Sequence, residues 1–267
     1  MSRFRFLLGG AWTFRRCLSW LALLLASAAV LVWSARGIGL SVPELLRGLP
    51  GIWDIVSRML PPNWAFFGRL LKPAIETVQI ALWGTLLSVL LALPLCFLGA
   101  RNLSPNLALF HATRQLFNAV RGINEIIFAL IFVTAVGLGP FPGMLALSIH
   151  GAGMLGKFFA EAIEEIDAGP VEALRATGTR PALVAVFGVL PQVVPSWIAS
   201  TLYRFETNLR AATILGMVGA GGIGFELVSS LKLFQYRDTA ACVLVVLAIV
   251  MTADYLSSRL RARILAA

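Results

Sequence analysis

Residues 77–100 read TVQIALWGTLLSVLLALPLCFLGA and contain no charged side chain. At 1.5 Å of helical rise per residue, a run of this length crosses the roughly 30 Å of hydrocarbon in a bilayer. The whole chain has the same character, because 58% of its 267 residues are hydrophobic and only 13% are charged. Soluble domains carry about 25% charged residues. The composition therefore indicates a membrane protein built from apolar helices.

Other runs with few or no charges predict the remaining membrane helices. Together with 77–100, the predicted spans are 17–35, about 116–138, about 141–159, 181–203 and 239–256. The pair in the middle comes from one long apolar run that glycines and prolines interrupt at 137–143, which predicts a tight turn. The run 211–225 is too short and too rich in glycine to count as a span. A re-entrant segment and a packed helix both remain open for it.

The distribution of basic residues supports six spans. Lys and Arg concentrate on the cytoplasmic side of membrane proteins, and six spans place the N-terminal, inner-loop and C-terminal arginines on that side. A seventh span would move the C-terminal arginines outside. The sequence therefore predicts an all-α integral membrane protein with six transmembrane helices and both termini cytoplasmic. The net charge of +9 reflects this bias rather than nucleic-acid binding, because no basic run has interleaved aromatic residues.

Three regions follow from this topology. Residues 1–73 contain the first transmembrane helix and an outer amphipathic segment, which we expect at the membrane surface. Residues 74–257 form the main transmembrane domain, with a cytoplasmic loop at about 160–181, and residues 258–267 form a basic cytoplasmic tail. A cleaved signal peptide is the alternative for the first span. A retained helix is preferred because its apolar stretch is too long and no clear A-x-A site follows.

Two glycine-rich motifs imitate nucleotide-binding sites. The stretch 219–224 spells G-x-G-x-x-G, but it lacks the preceding strand and βαβ context of a dinucleotide site. Close backbone packing and a lining of the translocation pathway both remain open for its glycines, which are Gly219, Gly221, Gly222 and Gly224. Residues 151–157 match G-x-x-x-x-G-K, but Phe158 follows where a Walker A loop needs Ser or Thr. We therefore expect no cofactor in this chain.

The polar stretch after the fourth span carries the most informative motif. From Glu172 it reads EALRATGTRPALVAVFGVLPQVVP, and it predicts a short helix that begins after Gly169-Pro170 and ends at Gly178. The spacing resembles the EAA loop of ABC-importer permeases, E-A-A-x-x-x-G-x9-I-x-L-P. The matching residues are Glu172, Ala173, Gly178, Leu190 and Pro191. Leu174 stands at the third position and Gly188 at the Ile position, so both depart from the motif.

Further stretches make the likeness more specific. The segments ETVQIALWGTLLSVLLALPL, RGINEIIFALIFVTAVGLGPFPGMLAL and LYRFETNLRAATILGMVGAGGIG resemble the permease subunit of phosphonate ABC transporters, over roughly 74–257. This resemblance implies the type I importer permease fold and a multi-pass location in the bacterial inner membrane. It also implies four kinds of partner: a second copy of the chain, two ATP-binding subunits that hold ATP and Mg, a periplasmic phosphonate-binding protein and the lipid bilayer.

In that family the loop forms a coupling helix that lies in a groove of the ATP-binding subunit. The resemblance therefore assigns coupling to the motif region, and the residues concerned are Glu172, Ala173, Leu174, Arg175 and Gly178. Leu190 and Pro191 are structural members of the same motif.

Polar residues in the apolar runs are candidates for a pathway or gate. Asn124 and Glu125 lie near the inner end of the third span, and Arg121 lies one helical turn before Glu125. The spacing favours an Arg121–Glu125 ion pair over a direct role in transport. His150 is a lone polar group in the fourth span, where an interhelical hydrogen bond is the favoured interpretation and a binding role the alternative.

Arg204 and Arg210 follow the fifth predicted span and therefore fall in the outer segment, together with Lys232 and Arg237. These cations predict a positive vestibule that guides an anion. Acidic residues lie among them, namely Glu206, Glu226 and Asp238, so local ion pairs or a docking surface remain equal alternatives.

An intramembrane enzyme is the alternative from another class. Such chemistry requires a nucleophile with a base, or a set of metal ligands. The chain has neither H-E-x-x-H nor G-x-S-x-G, and its two histidines, His111 and His150, lie far apart. We therefore predict a non-enzymatic importer permease for phosphonate, phosphite or phosphate, with another small solute as the alternative cargo.

Overall fold

The computed structural model describes the backbone of residues 4–265 and the side chains of residues 19–264, and all regular elements in these ranges are helical. The chain divides into two compact units, and the boundary in the sequence falls between Ser57 and Arg58. The first unit holds α1 (Phe4–Gly37) and most of α2 (Val42–Met59). α2 has no buried residue, and its exposed apolar side chains include Leu45, Leu49, Ile52, Trp53 and Val56; its place at the membrane surface stays a prediction.

The second unit contains nine further α-helices in the described range. They are α3 (Phe67–Gly99), α4 (Leu107–Gly122), α5 (Glu125–Val136), α6 (Pro140–Glu164), α7 (Ala168–Ala176), α8 (Pro181–Val184), α9 (Leu190–Met217), α10 (Ile223–Lys232) and α11 (Tyr236–Leu265). A single π-helical turn, Ala185–Val189, joins α8 to α9, so the chain is helical without interruption from Pro181 to Met217.

Four helices of the described residues are long and apolar enough to cross a bilayer. These are Ser19–Gly37, Trp64–Gly99, Pro181–Met217 and Tyr236–Ile264, and α4 with α5 makes a fifth if that pair is one broken span. The pair is bent by 81° at its break. α6 is long enough but less apolar, because glycines, His150 and Lys157 lower its mean hydropathy. Sequence length and apolarity alone therefore support four or five of the six predicted spans.

α6 lies at the centre of the second unit and packs against α3, α4, α5 and α9. Small residues make this packing close. A Cβ on Gly84 of α3 would lie 2.8 Å from Cβ of Leu147, and a Cβ on Gly153 would lie 2.9 Å from Cγ1 of Val120 on α4. Contacts of this kind replace the hydrophobic driving force that apolar helices lack inside lipid. The low hydropathy of α6 is therefore compatible with its buried position.

The predicted run 211–225 is the end of one helix and the start of another. α9 ends at Met217, and α10 begins at Ile223 after a turn of glycines. Gly222 has a φ of +74°, which side chains with a Cβ rarely adopt, and its N–H lies 3.1 Å from a carboxylate oxygen of Glu76 on α3. The N–H of Gly139 donates to the carbonyl of Gly219 over 3.0 Å. These contacts support backbone packing for the glycine motif, and its role in a pathway stays a prediction.

Two predicted helix boundaries are wrong. The third span was expected as one helix over 116–138, but it breaks between Gly122 and Glu125, where the side chain of Asn124 accepts a hydrogen bond from the N–H of Ile126 and caps α5. The fifth span was expected to end at residue 203, but α9 continues to Met217. Glu206 interrupts the apolar run there, and its charge is paired with Arg210 and with Arg261 of α11.

Replacing Gly84 with Ala should destabilise the bundle, because the new methyl group would overlap Leu147 and force α3 away from α6. We expect a loss of about 1–3 kcal/mol, visible as a lower melting temperature of the purified protein in detergent. Gly68→Ala is the matched control on the same helix, since a Cβ there meets no atom within 4 Å. Equal effects of the two substitutions would contradict the packing role of Gly84.

Candidate functional site

The motif region forms a short helix on the surface of the bundle. The side chain of Asp167 accepts a hydrogen bond from the N–H of Gly169 over 3.0 Å and thereby caps the start of α7. Beyond the end of α7, Gly178 has a φ of +74°, which confirms the predicted helix end. Glu172, Ala173 and Arg175 are exposed along α7. They are therefore available to another protein.

α7 is held against the start of the next long helix. Val171 is buried, and Leu174 packs against the cluster that contains Val184 and Val189. The side chain of Gln192 accepts from the N–H of Asp167 over 3.0 Å and donates to the carbonyl of Gly188 over 2.7 Å. The short helix is consequently linked to α9 by both apolar packing and hydrogen bonds.

The two departures from the EAA motif contact each other. A Cβ placed on Gly188 would lie 3.2 Å from Cδ1 of Leu174 and 3.4 Å from Cγ2 of Val171. The larger residue at the third motif position therefore occupies the space that a larger residue at the Ile position would need. Leu190 and Pro191 begin α9 directly after this contact.

A second group of polar residues lies inside the bundle, where α5, α6 and α9 meet. Nη2 of Arg204 donates to Nδ1 of His150 over 2.9 Å, and a carboxylate oxygen of Glu125 lies 3.5 Å from the same ring nitrogen. Arg204 is 5% exposed and His150 is 9% exposed. The structure thus brings together two predicted gate residues, Glu125 and His150, and adds Arg204 to them.

Arg204 has few partners for a buried guanidinium. Besides His150, its one other hydrogen-bond contact among the described residues is the thioether sulfur of Met154 at 3.3 Å, and its Nε has no partner there. A charged residue at the centre of a span costs about 2.5–3.5 kcal/mol on insertion scales. A cost of this size makes a functional role the first hypothesis for such a residue.

The predicted ion pair between Arg121 and Glu125 is absent from the described residues. The helix break after Gly122 places the two side chains on different helices, so they no longer lie one turn apart on one face. Glu125 instead faces His150, with a carboxylate oxygen 3.5 Å from Nδ1 of the imidazole. His150 therefore makes the interhelical contact that the sequence favoured.

The structure places Arg204 inside a helix rather than in a connecting segment. Arg210, six residues later, has a half-exposed side chain and donates to Glu206 over 2.9 Å. Arg261 of α11 lies 3.4 Å from the other carboxylate oxygen of Glu206. The local ion pairs considered as an alternative are therefore present, and the anion vestibule stays a prediction.

Sequence reasoning missed a neighbouring polar contact. Asn208 is fully buried on α9 and donates to the hydroxyl of Thr85 on α3 over 2.8 Å. An asparagine two and four residues from charged neighbours resembled part of a polar loop. The signal that could have identified Asn208 is its four-residue spacing from Arg204, which puts both side chains on one face of a helix.

A cavity of about 640 Å³ lies beside the start of α11. Arg58 and Arg237 contribute positive charge to it, and Asn63, Gln235 and Tyr236 line it as well. Asp238 in its wall is hydrogen-bonded by the side-chain amide of Asn63 over 2.6 Å. This cavity is a second place where cations gather, distinct from the buried group around Arg204.

Comparison with known proteins gives a consistent set of relatives. The family of binding-protein-dependent transport system inner membrane components matches residues 84–266. Phosphite transport system permease protein PtxC of Stutzerimonas stutzeri is 46% identical over 222 residues, which are 83% of this chain and 81% of that protein. Phosphate-import permease protein PhnE of Mycolicibacterium smegmatis is 42% identical over 85% of this chain and 43% of its own length.

A solved structure shows the same fold. An inward-facing conformation of the MetNI methionine ABC transporter matches with a TM-score of 0.65 at 18% identity, over 76% of this chain and 99% of the matched chain. The all-helical architecture is the type I ABC importer permease fold that the sequence predicted. Because the family match covers more than half of the chain, this protein belongs to the binding-protein-dependent transport system inner membrane components.

Proposed function

We propose that this chain is the membrane-spanning permease of an ATP-driven importer for a small phosphorus oxyanion: phosphonate, phosphite or phosphate. The observation that carries the proposal is 46% identity to a phosphite permease over 83% of the chain. The chain supplies the path across the membrane, and a separate subunit binds Mg and hydrolyses ATP. It therefore acts without catalytic residues of its own.

The permease crosses the bacterial inner membrane six times, with both termini in the cytoplasm. The crossings are α1, α3, the broken pair α4 and α5, α6, the stretch from α8 to α9, and α11. α6 packs parallel to α3, with Leu147 beside Gly84, and this extended contact supports α6 as a crossing despite its low hydropathy. The same two helices also meet at the α7 end, where the N–H of Arg101 donates to the carboxylate of Glu164 over 2.7 Å.

α7 couples the permease to the ATP-binding subunit. Its exposed residues Glu172, Ala173 and Arg175 form the contact surface, while Leu174 and Gly178 set its packing and its end. A second copy of the chain completes the pathway, two ATP-binding subunits drive it, and a periplasmic binding protein delivers the anion. The alternative is a pair of two different permease chains. The number of copies of this chain in the purified complex distinguishes the two arrangements.

Uptake by the reconstituted complex tests this function. Liposomes that contain the permease and its ATP-binding subunit, supplied with loaded binding protein, should accumulate labelled phosphite, phosphonate or phosphate only when ATP is hydrolysed. Glu172→Ala should reduce uptake about tenfold or more while ATP hydrolysis continues, because this residue belongs to the contact between motor and pathway.

Glu165→Ala is the matched control, since Glu165 is an exposed carboxylate in the same loop but lies outside α7. It should transport like the unsubstituted protein. A complex that hydrolyses ATP and accumulates none of the three anions would contradict the proposed function.

The two motif departures give a second test of coupling. Gly188→Ile should weaken the attachment of α7, because the added side chain overlaps Leu174 and Val171, and we expect a loss of about 1–3 kcal/mol. Combining it with Leu174→Ala restores the residue sizes of the motif. The double variant should therefore regain both melting temperature and uptake, and a double variant no better than Gly188→Ile alone would contradict the assigned contact.

A further inference from the structure

We infer that the transported oxyanion contacts the guanidinium of Arg204 inside the membrane, and that His150 holds this guanidinium when no anion is bound. The inference rests on the proposed function. Neither the coupling contact nor the packing of the bundle requires a guanidinium at this position. The inference depends on the depth of Arg204, on its unused donors and on the helix break beside it.

The depth follows from the contacts with α3. A Cβ on Gly151 would touch Ser88 and would lie 3.1 Å from Nε of Arg204, so the guanidinium is level with Ser88. Eleven residues, or about 16 Å of helix, separate Ser88 from the end of α3 at Gly99. The side chain thus lies well within the apolar length of the bundle, beyond the reach of the headgroup region.

The donors of Arg204 are largely unused. A guanidinium has five N–H donors and no acceptor, and the described partners of Arg204 are His150 and the weak acceptor Met154. Because Arg204 only donates, Nδ1 of His150 accepts and carries no proton, so this partner is uncharged. No carboxylate of the described residues lies within ion-pair distance of Arg204, whereas Glu206, two residues later, contacts two arginines.

A phosphorus oxyanion is a better partner than the imidazole. Its oxygens accept charge-assisted hydrogen bonds, which are stronger than those to neutral acceptors. The planar fork of arginine also matches two such oxygens at once, which a lysine ammonium does not. Exchange of His150 for the anion therefore satisfies donors that are idle in this conformation.

The surroundings allow such an exchange. The α4–α5 break places Glu125 and the first turn of α5 beside His150, and non-helical backbone at membrane depth is tolerated where it lines a cavity or is covered by protein. Glu125 balances the cation from a distance, through the ring, without occupying its donors. An arriving anion consequently meets a guanidinium that is charge-compensated but not bound to a carboxylate.

The test uses the complete importer in phosphatidylcholine liposomes, with labelled phosphite on the binding protein. If the unsubstituted complex takes up none of the three anions, the proposed function fails and the inference fails with it. Given normal uptake, Arg204→Gln should lower uptake at least about tenfold, and Arg204→Lys should keep an intermediate rate, because it retains the charge but loses the fork. Lys157→Gln is the control. It removes a cation that lies two helical turns from His150 and pairs with Glu161.

A second readout separates anion binding from a structural role. Phosphite should raise the melting temperature of the purified permease–ATPase complex, because a ligand that binds only the folded state stabilises it. Arg204→Gln should abolish this shift, and Lys157→Gln should retain it. The lipid is the same in all samples, so a response to added phosphite reports the free anion and not a lipid phosphate.

Uptake by Arg204→Gln at the normal rate would overturn the inference. So would lost uptake with an unchanged phosphite-induced shift, because that result assigns Arg204 to the structure alone. If the glutamine variant does not assemble, Arg204→Lys decides: partial uptake with a remaining shift supports the inference, and an assembled lysine variant with neither contradicts it.

Discussion

The close approach of α6 to its neighbours is the constraint on which the rest of the structure depends. Apolar helices gain nothing by hiding from lipid, so packing and interhelical hydrogen bonds must hold them together. Because Gly84 and Gly153 lack a Cβ, α3 and α6 can pack with the glycine backbone directly against side chains of the neighbouring helix. The helix at the centre is in turn shielded from lipid by α3, α4, α5 and α9. It can therefore carry a histidine and several glycines that a lipid-facing span would not tolerate.

That shielding explains why polar and charged side chains are accommodated in the interior of the bundle. His150 occupies the shielded helix, and α9 brings Arg204 against it. The same continuous helical stretch begins at Pro181, next to the contact between Leu174 and Gly188. One stretch of chain thus connects the exposed helix α7, where we propose coupling, with the buried polar group. A force on α7 has a direct structural route to the place where we expect the anion.

Much of this was predictable from the sequence, and the failures have a common cause. Uncharged runs identified α3, and Gly178 marked the end of α7, because these signals are local. The start of α7 lies at Ala168, before the Gly169-Pro170 pair that was predicted to precede the helix. The extension of α9 was missed because Glu206 and Arg210 looked like a solvated segment. Their charges are matched by each other and by Arg261, 55 residues away, a contact that no local pattern reveals. The break before Glu125 brings that carboxylate to His150 of α6, which is likewise a contact between residues far apart in sequence.

Crosslinking from α7 tests the central claim most directly. A photoreactive residue in place of Ala173, which is exposed and small, would be introduced into the permease of intact cells that express the whole importer. The account predicts a crosslink to the ATP-binding subunit. A crosslink to the periplasmic binding protein instead, or labelling of this position from outside the cell, would contradict it.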